Sequence, residues 1–233
     1  MQVLEIYQSK QGEGIWTGQS SVFVRFLGCP LRCWFCDTDY ARYSVEEGET
    51  GHGATLTPDE IVGRVLLLDL PHVVLTGGEP MMSSKIADLT KMLKEFDYQI
   101  TIETSGVFFQ PVACDLMSIS PKLRNTVPLD GNPTIIREHD RERSKPEIVQ
   151  QLILRYNYQL KFVVDTRDDL LEFEEYLSCF HGVVPEKVWL MPQATDVETM
   201  RQKAEWIEPF CHARGYRYCP RMQLVWYGNA PRS

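Results

Sequence analysis

Several features that would place a protein in a broad class at once are missing from this 233-residue chain. It has no apolar run near the ~20 residues that a helix needs to span a bilayer. Its N-terminus has neither the basic stretch nor the apolar stretch of a signal peptide, so we expect a cytoplasmic protein. Internal repeats, low-complexity tracts and flexible linkers are also absent, and we therefore expect one domain over 1–233.

Basic residues are scarce relative to acidic ones. The 24 lysines and arginines stand against 32 aspartates and glutamates, which gives a formal net charge of −8. Binding to nucleic acid or to an anionic membrane needs clustered positive charge, so we expect neither as a partner. Hydrophobic residues make up 43% of the chain and charged residues 24%, a composition that excludes a disordered or collagen-like protein. A small-molecule substrate fits the acidic net charge better than a nucleic acid such as tRNA does.

Apolar strands that alternate with helices dominate the pattern that is present. We predict strands at 21–27, 72–76, 99–103, 116–120, 160–164 and 187–191, capping boxes at 57–60 and 144–147, and a helix cap at 195–198. This alternation indicates a parallel sheet with right-handed crossovers. About six strands suit an α/β fold of the partial, incomplete TIM-type barrel class, with a core at about 20–220. We expect an exposed insertion at about 43–54 and an irregular segment at about 125–144.

Cysteine is sparse, but its distribution is uneven. Three of the seven cysteines, Cys29, Cys33 and Cys36, fall within eight residues directly after the first predicted strand. Zinc is one interpretation, because Cys33 and Cys36 have knuckle spacing and Cys211, His212 or Cys219 could complete a tetrahedral set. A 4Fe–4S cluster is the other interpretation, since three thiolates would leave one iron without a protein ligand. Such an iron is open to a small molecule.

Polar and glycine-rich segments end the other predicted strands. They are Thr76-Gly77-Gly78-Glu79-Pro80, Glu103-Thr104-Ser105-Gly106, Ser120-Pro121-Lys122 and Met191-Pro192-Gln193. Each is weak evidence alone, because a Gly-Gly pair is usually only a turn. The carboxyl ends of parallel strands meet at one edge of a sheet or barrel, where active sites form. We therefore expect these segments to surround one site with the cysteines.

The Cys-x-x-x-Cys-x-x-Cys loop, with Phe35 before its last cysteine, resembles the radical S-adenosylmethionine superfamily. Gln-Gly-Glu-Gly at 11–14, Arg25, Cys-Asp-Thr at 36–38 and Thr-Gly-Gly-Glu-Pro at 76–80 narrow the resemblance to the 7-carboxy-7-deazaguanine synthase family. The resemblance covers most of 3–227 and is weakest at 43–54 and 125–144. It implies conversion of 6-carboxy-5,6,7,8-tetrahydropterin into 7-carboxy-7-deazaguanine by radical ring contraction with loss of ammonia, on the route to queuosine and other 7-deazapurines.

The resemblance also implies roles for individual residues. Cys29, Cys33 and Cys36 would hold a 4Fe–4S cluster whose open iron binds S-adenosylmethionine, and Thr38 would bind Mg²⁺. The substrate would contact Lys10, Gln11, Gly12, Glu13, Arg25 and Thr76. S-adenosylmethionine would contact Phe35, Cys36, Asp37, Gly78, Glu79, Glu103, Ser105, Ser120, Pro121, Lys122 and Gln193. A homodimer and an electron donor such as flavodoxin or ferredoxin are implied as partners.

Two alternatives remain at this stage. An activating enzyme that installs a glycyl radical on a partner protein shares the cysteine spacing, but typically has Cys-His-Asn where this chain has Cys-Asp-Thr. A non-catalytic module that binds zinc or a regulatory cluster is the second. The tail around Gln223 departs from the family, in which histidine is more often expected at that position, so we leave the tail out of the predicted site.

Overall fold

The computed structural model describes residues 1–38, 53–129 and 131–228, so nearly all of the insertion predicted at 43–54 lies outside the described residues. The strands are β1 (Gln2–Lys10), β2 (Ser20–Phe26), β3 (Ala54–Thr55), β4 (His72–Gly77), β5 (Gln99–Thr104), β6 (Leu116–Ile119), β7 (Tyr158–Val164), β8 (Val188–Pro192) and β9 (Arg217–Tyr218). The helices are α1 (Pro58–Leu66), α2 (Ile86–Glu95), α3 (Pro133–Arg143), α4 (Pro146–Arg155), α5 (Asp169–Ser178), α6 (Val197–Arg214) and α7 (Met222–Tyr227).

These strands form a single sheet in the order β3-β1-β2-β4-β5-β6-β7-β8-β9. From β2 to β9 all neighbours are parallel, whereas β1 pairs antiparallel with both β2 and β3. The six predicted strands are β2 and β4 to β8, and the prediction of an α/β partial barrel is confirmed. The strands β1, β3 and β9, which the sequence pattern did not predict, extend the two edges.

The two faces of the sheet differ in character because side chains alternate along a strand. Val24, Leu75, Ile102, Met117 and Phe162 point to one face and belong to the main buried core. Their neighbours Arg25, Thr76, Glu103, Ser118 and Lys161 point to the other face and line a cavity. The register places Arg25 beside Thr76 and Glu103 beside Ser118. The parallel sheet thus presents a row of polar groups on the inside of the partial barrel.

Local sequence explains where several of the helices begin. Thr57 caps α1 with both bonds of a capping box, and Asp196 caps α6 by accepting a hydrogen bond of 2.8 Å from the Thr199 N–H. The capping box predicted at 144–147 is wrong, although α4 begins there. Pro146 is the first helical residue, so Lys145 is the N-cap and its side chain makes no cap bond, while Ser144 already ends α3.

The irregular segment predicted at 125–144 is also wrong in its second half, which is α3. Pro133 stands at the start of this helix, and the side chain of Asn132 accepts hydrogen bonds from the N–H groups of Thr134 and Ile135. Apolar periodicity does not reveal the helix, because its buried residues are His139 and Arg143. Among the described residues, no helix has both the length and the apolar character to cross a membrane.

Candidate active site

One cavity lies at the carboxyl ends of the parallel strands and collects nearly all of the predicted site residues. It is lined by the three clustered cysteines and by Lys10, Gln11, Gly12, Glu13, Arg25, Phe35, Asp37, Thr38, Thr76, Gly78, Glu103, Ser105, Ser120, Lys122 and Gln193. The polar loop after β1 and the cysteine loop after β2 therefore face the same space. Glu79 and Pro121 are the two predicted residues that do not line it.

The cysteine loop is packed against apolar groups. Cys33 is buried with Leu31 and Val107, and Cys29 and Cys36 pack against this small cluster. Burial raises the pKa of Cys29 to about 12 and that of Cys36 to about 11. Both are thiols at neutral pH in this surrounding, so a metal group that binds them must displace their protons. A dry pocket of this kind suits an iron–sulfur cluster, whose potential depends on solvent exposure.

A mononuclear zinc site has less support. Within the part of the chain that the structure describes, no group of three or more His, Cys, Asp or Glu side chains is arranged around one ion. Cys211 packs in the main core and the Cys219 sulfur accepts from the Gly14 N–H at 3.2 Å, and neither lines the cavity. In a 4Fe–4S cluster each thiolate binds a different iron, so the three sulfurs need not converge on a point.

A lysine missed by the sequence analysis stands at the centre of the polar half of the cavity. Lys161 on β7 is buried, and its Nζ lies 2.8 Å from Glu13 Oε2 and 3.4 Å from Glu103 Oε1. Gln11 Nε2 and Thr76 Oγ1 also donate to Glu103, at 3.1 and 3.0 Å. One cation therefore joins the loop after β1 to the end of β5. The signal for it was a single lysine inside the apolar strand Leu-Lys-Phe-Val-Val at 160–164.

The charges of this group favour an ionised Glu13. Burial by itself would raise the pKa of Glu13, but Lys161 and Arg221 outweigh burial and lower it to about 2. Burial would lower the pKa of Lys161, and Glu103 and Glu13 raise it above its ordinary value instead. At neutral pH the cavity thus holds a carboxylate at Glu13 and an ammonium at Lys161.

Arg25 is held in a fixed orientation on β2. Its Nε donates to Glu5 Oε1 at 2.9 Å, and one terminal nitrogen donates to the Tyr7 hydroxyl at 2.6 Å. The other terminal nitrogen lies 3.4 Å from Thr38 Oγ1, and Thr38 in turn donates to Asp37 Oδ1 at 2.9 Å. Both Glu5 and Tyr7 come from β1, the edge strand that was not predicted. The guanidinium plane is therefore set before any ligand binds.

Glu79 does not line the cavity, and its contact with S-adenosylmethionine stays a prediction. The side chain is buried, and its carboxylate accepts hydrogen bonds from the Ser105 N–H at 2.8 Å, the Ser105 hydroxyl at 2.5 Å and the Thr104 hydroxyl at 2.7 Å. These bonds use its oxygens within the protein. Glu79 thus holds Ser105, which lines the cavity. Pro121 is likewise buried, and its neighbours Ser120 and Lys122 reach the cavity.

The C-terminal tail belongs to the site, although we left it out of the predicted residues. Gln223 Nε2 donates to Glu13 Oε1 at 2.7 Å, and Arg221 contacts both Glu13 at 3.5 Å and Asp37 at 2.6 Å. The Met222 N–H donates to the Gly12 carbonyl at 3.0 Å. Because Glu13 is a carboxylate and can only accept, the amide nitrogen of Gln223 must face it. Gln223 Oε1 is then a buried acceptor to which no described residue donates a hydrogen bond.

Comparison with known proteins gives consistent results. The sequence model of the Radical SAM superfamily matches residues 23–155. The chain is 40% identical to a 7-carboxy-7-deazaguanine synthase from Rhodopirellula baltica, over 97% of this chain and 86% of that protein. It is 34% identical to one from Halobacterium salinarum, over 98% and 91%. The crystal structure of QueE from Escherichia coli has a similar fold, with a TM-score of 0.72 and 24% identity over 94% and 92% of the two chains.

Proposed function

The chain belongs to the 7-carboxy-7-deazaguanine synthase family of the radical S-adenosylmethionine superfamily, and from this we propose that it converts 6-carboxy-5,6,7,8-tetrahydropterin into 7-carboxy-7-deazaguanine with loss of ammonia. The observation that carries the proposal is a single cavity that contains both the cysteine loop and a polar group suited to a pterin. The reaction would serve the synthesis of queuosine and other 7-deazapurines. The relatives of this chain are 7-carboxy-7-deazaguanine synthases, which favours this reaction over the activation of a glycyl-radical enzyme.

The cysteine end of the cavity suits the superfamily's cofactors. Cys29, Cys33 and Cys36 would hold a 4Fe–4S cluster, and this cluster with S-adenosylmethionine supplies the 5′-deoxyadenosyl radical that starts the ring contraction. Ser105, Ser120, Lys122 and Gln193 would provide polar contacts to S-adenosylmethionine. The ammonium of Lys122 is fixed there, because it donates to the Ser120 carbonyl at 2.9 Å and to the Ser120 hydroxyl at 2.7 Å.

The polar end of the cavity matches the pterin ring. A pterin carries adjacent N–H donors on its guanidine-like edge, and a protein reads such an edge with acceptors. Glu13 is an ionised acceptor, and Gln223 Oε1 beside it is a buried acceptor that has no donor in the part of the chain that the structure describes. A buried polar group without a partner costs about 1–3 kcal/mol, which a donor on the substrate would offset. We place the guanidine-like edge of the substrate against this pair.

Arg25 and Thr38 would bind the substrate carboxylate together with Mg²⁺. The donor atoms suit Mg²⁺, because Thr38 offers one hard oxygen and Asp37 lies next to it. Mg²⁺ commonly takes few protein oxygens and completes its shell with waters and substrate oxygens. Because Arg25 lies 3.4 Å from Thr38, a carboxylate bound there would meet two positive groups. That contact would fix the ring relative to the cofactor.

We also propose an electron donor of the flavodoxin or ferredoxin type and a homodimer, both from the family. The cysteine loop reaches the surface at Trp34, which is 41% exposed between Cys33 and Cys36. A reductant could therefore approach the loop from outside.

Product analysis under anaerobic conditions tests the proposal. The chain reconstituted with iron and sulfide should be brown and hold about four irons. With a reductant, S-adenosylmethionine, Mg²⁺ and 6-carboxy-5,6,7,8-tetrahydropterin, mass spectrometry should detect 7-carboxy-7-deazaguanine. A Cys36→Ser variant prepared in parallel should give neither 5′-deoxyadenosine nor product. A colourless protein with one zinc would overturn the enzyme assignment, and 5′-deoxyadenosine without product would overturn the substrate assignment alone.

A further inference from the structure

We propose that His139 on α3 is a positioning residue that fixes the backbone of the cysteine loop, although it lies in the segment with the weakest resemblance to the family. The inference rests on the proposed function only for the identity of the group that the thiols bind. His139 is 1% exposed and does not line the cavity. Its effect on the cluster would therefore pass through the loop, not through contact with a ligand.

The hydrogen bonds of His139 define its tautomer. The backbone N–H of Arg32, between Cys29 and Cys33, donates to His139 Nδ1 at 3.0 Å. Nδ1 is therefore the acceptor, and the proton lies on Nε2, which is 3.0 Å from Thr126 Oγ1. The Thr126 hydroxyl donates onward to the Leu123 carbonyl at 2.6 Å. Both ring nitrogens of His139 and the Thr126 hydroxyl thus have the hydrogen-bond partners that a neutral imidazole requires.

The surroundings of His139 agree with a neutral ring. Burial is the main reason that its pKa is lowered to about 4, and the charge of Arg143 adds to the effect. Lys122 and Arg32 act in the same direction, and Asp140 opposes them. An imidazolium would have no lone pair for the Arg32 N–H, so only the neutral ring can hold the loop in this way.

Two further hydrogen bonds join the cysteine loop to the same part of the chain. The Trp34 N–H donates to the Thr126 carbonyl at 3.3 Å, and Trp34 Nε1 donates to the Asn125 carbonyl at 2.7 Å. The two backbone N–H groups that flank Cys33, those of Arg32 and Trp34, thus both donate to residues at 126–139. Loop backbone lacks the regular hydrogen bonds of a helix or strand, so such anchors set its conformation.

Matched variants separate this role from general stability. His139→Leu removes both hydrogen bonds, and His139→Asn keeps an acceptor oxygen close to the position of Nδ1. Thr126→Val perturbs the same buried chain but leaves the bond between the Arg32 N–H and His139. For each reconstituted enzyme we would measure iron per chain, the rate at which a chelator bleaches the cluster, the cluster's midpoint potential and the thermal unfolding midpoint.

The bleaching rates decide the outcome. We expect His139→Leu to lose its cluster at least about fivefold faster than wild type, the lower bound for an unsatisfied buried N–H. His139→Asn should restore most of the difference, and Thr126→Val should stay close to wild type even where its unfolding midpoint falls. Equal bleaching of His139→Leu and wild type, or of His139→Leu and Thr126→Val, would overturn the proposal. Bleaching does not involve the pterin, so a wild-type enzyme that keeps its cluster but makes no product would overturn only the proposed function.

Discussion

Replacing Lys161 with methionine should lower stability and weaken substrate binding together, because one buried ammonium holds two carboxylates of the cavity. The Lys161 side chain is 4% exposed and contacts Glu13 and Glu103 at 2.8 and 3.4 Å. Methionine keeps an unbranched apolar side chain of similar length and removes the charge. In Lys161→Met the carboxylate of Glu13 stays buried but loses its nearer cation. Among the described residues it keeps an ion pair with Arg221, at 3.5 Å.

The expected loss of folding stability in Lys161→Met follows from the pKa of Glu13. Its displacement from 4.5 to about 2 corresponds to about 3 kcal/mol at 1.36 kcal/mol per pKa unit. Arg221 supplies part of this stabilisation and burial opposes it, so we expect Lys161→Met to lower the free energy of unfolding by about 2–3 kcal/mol, at or below the usual cost of breaking a buried pair. For a chain of this size 1 kcal/mol corresponds to about 2–4 °C, so the unfolding midpoint should fall by roughly 4–12 °C.

The pH dependence has a definite sign. A lowered carboxyl pKa stabilises the fold above the unfolded value of 4.5 and stops doing so as the pH falls through about 2. Wild type therefore keeps the full contribution between pH 5 and pH 8. In Lys161→Met the pKa of Glu13 rises, and its protonation relieves the unpaired charge. The difference in stability between the two proteins should therefore narrow at acidic pH, between the raised pKa of Glu13 in the variant and its pKa of about 2 in wild type.

Anaerobic thermal unfolding and the KM for the pterin measure both effects. Lys94→Met is the matched control, since Lys94 pairs with Asp115 outside the cavity and half-exposed pairs contribute only about 0–1 kcal/mol. Adding Glu13→Gln to Lys161→Met should recover part of the lost midpoint, because the double variant no longer buries an unpaired charge. A Lys161→Met midpoint no lower than that of Lys94→Met, or an unchanged KM, would refute the reasoning.

Three further changes test other parts of the site. Gly12→Ala should raise the KM, because a Cβ there would lie 2.1 Å from Gln223 Oε1 and 2.9 Å from the Gln223 backbone nitrogen. Gly63→Ala in α1 is the control and should leave the KM unchanged, since its Cβ would meet no atom of the described residues within 4 Å. Equal kinetics of the two variants would remove the tail from the substrate site. Thr38→Ala should weaken the activation by Mg²⁺ in turnover assays, and an unchanged response would mean that the ion lies elsewhere. Arg25→Lys replaces the planar guanidinium by an ammonium that cannot bind a carboxylate through two parallel hydrogen bonds. The loss of one charged hydrogen bond, about 1.5–3 kcal/mol, should raise the KM about tenfold or more. A KM equal to that of wild type would contradict the carboxylate site.

The parallel sheet was predictable because each of its main strands is a short run rich in apolar and β-branched residues, most of which are buried. The strand β1 was not, since it is partly exposed at the edge of the sheet and mixes Glu5, Tyr7 and Gln8 with apolar residues. Its omission had a consequence for the site, because Glu5 and Tyr7 set the orientation of Arg25. Edge strands carry a weaker pattern than central ones, although their side chains can matter as much.

Long-range contacts explain the remaining misses at the site. Gln223 reaches Glu13 across 210 positions of sequence, and the Arg32 N–H reaches His139 across 107. Neither pair leaves a trace in local periodicity or in spacing. Lys161 did leave one, a charge within an apolar strand, which is rarely tolerated unless the charge is paired. The residues identified in advance were those that stand in compact motifs at strand ends.

The central claim is that one cavity couples radical generation at the cysteine loop to a pterin held by its carboxylate. The most direct test compares, by anaerobic mass spectrometry, turnover of 6-carboxy-5,6,7,8-tetrahydropterin with turnover of a tetrahydropterin that lacks the carboxylate. We predict a product lighter than the substrate by one ammonia from the carboxylated compound and none from the other. Equal conversion of both compounds, or 5′-deoxyadenosine formation with no such product from either, would contradict the account.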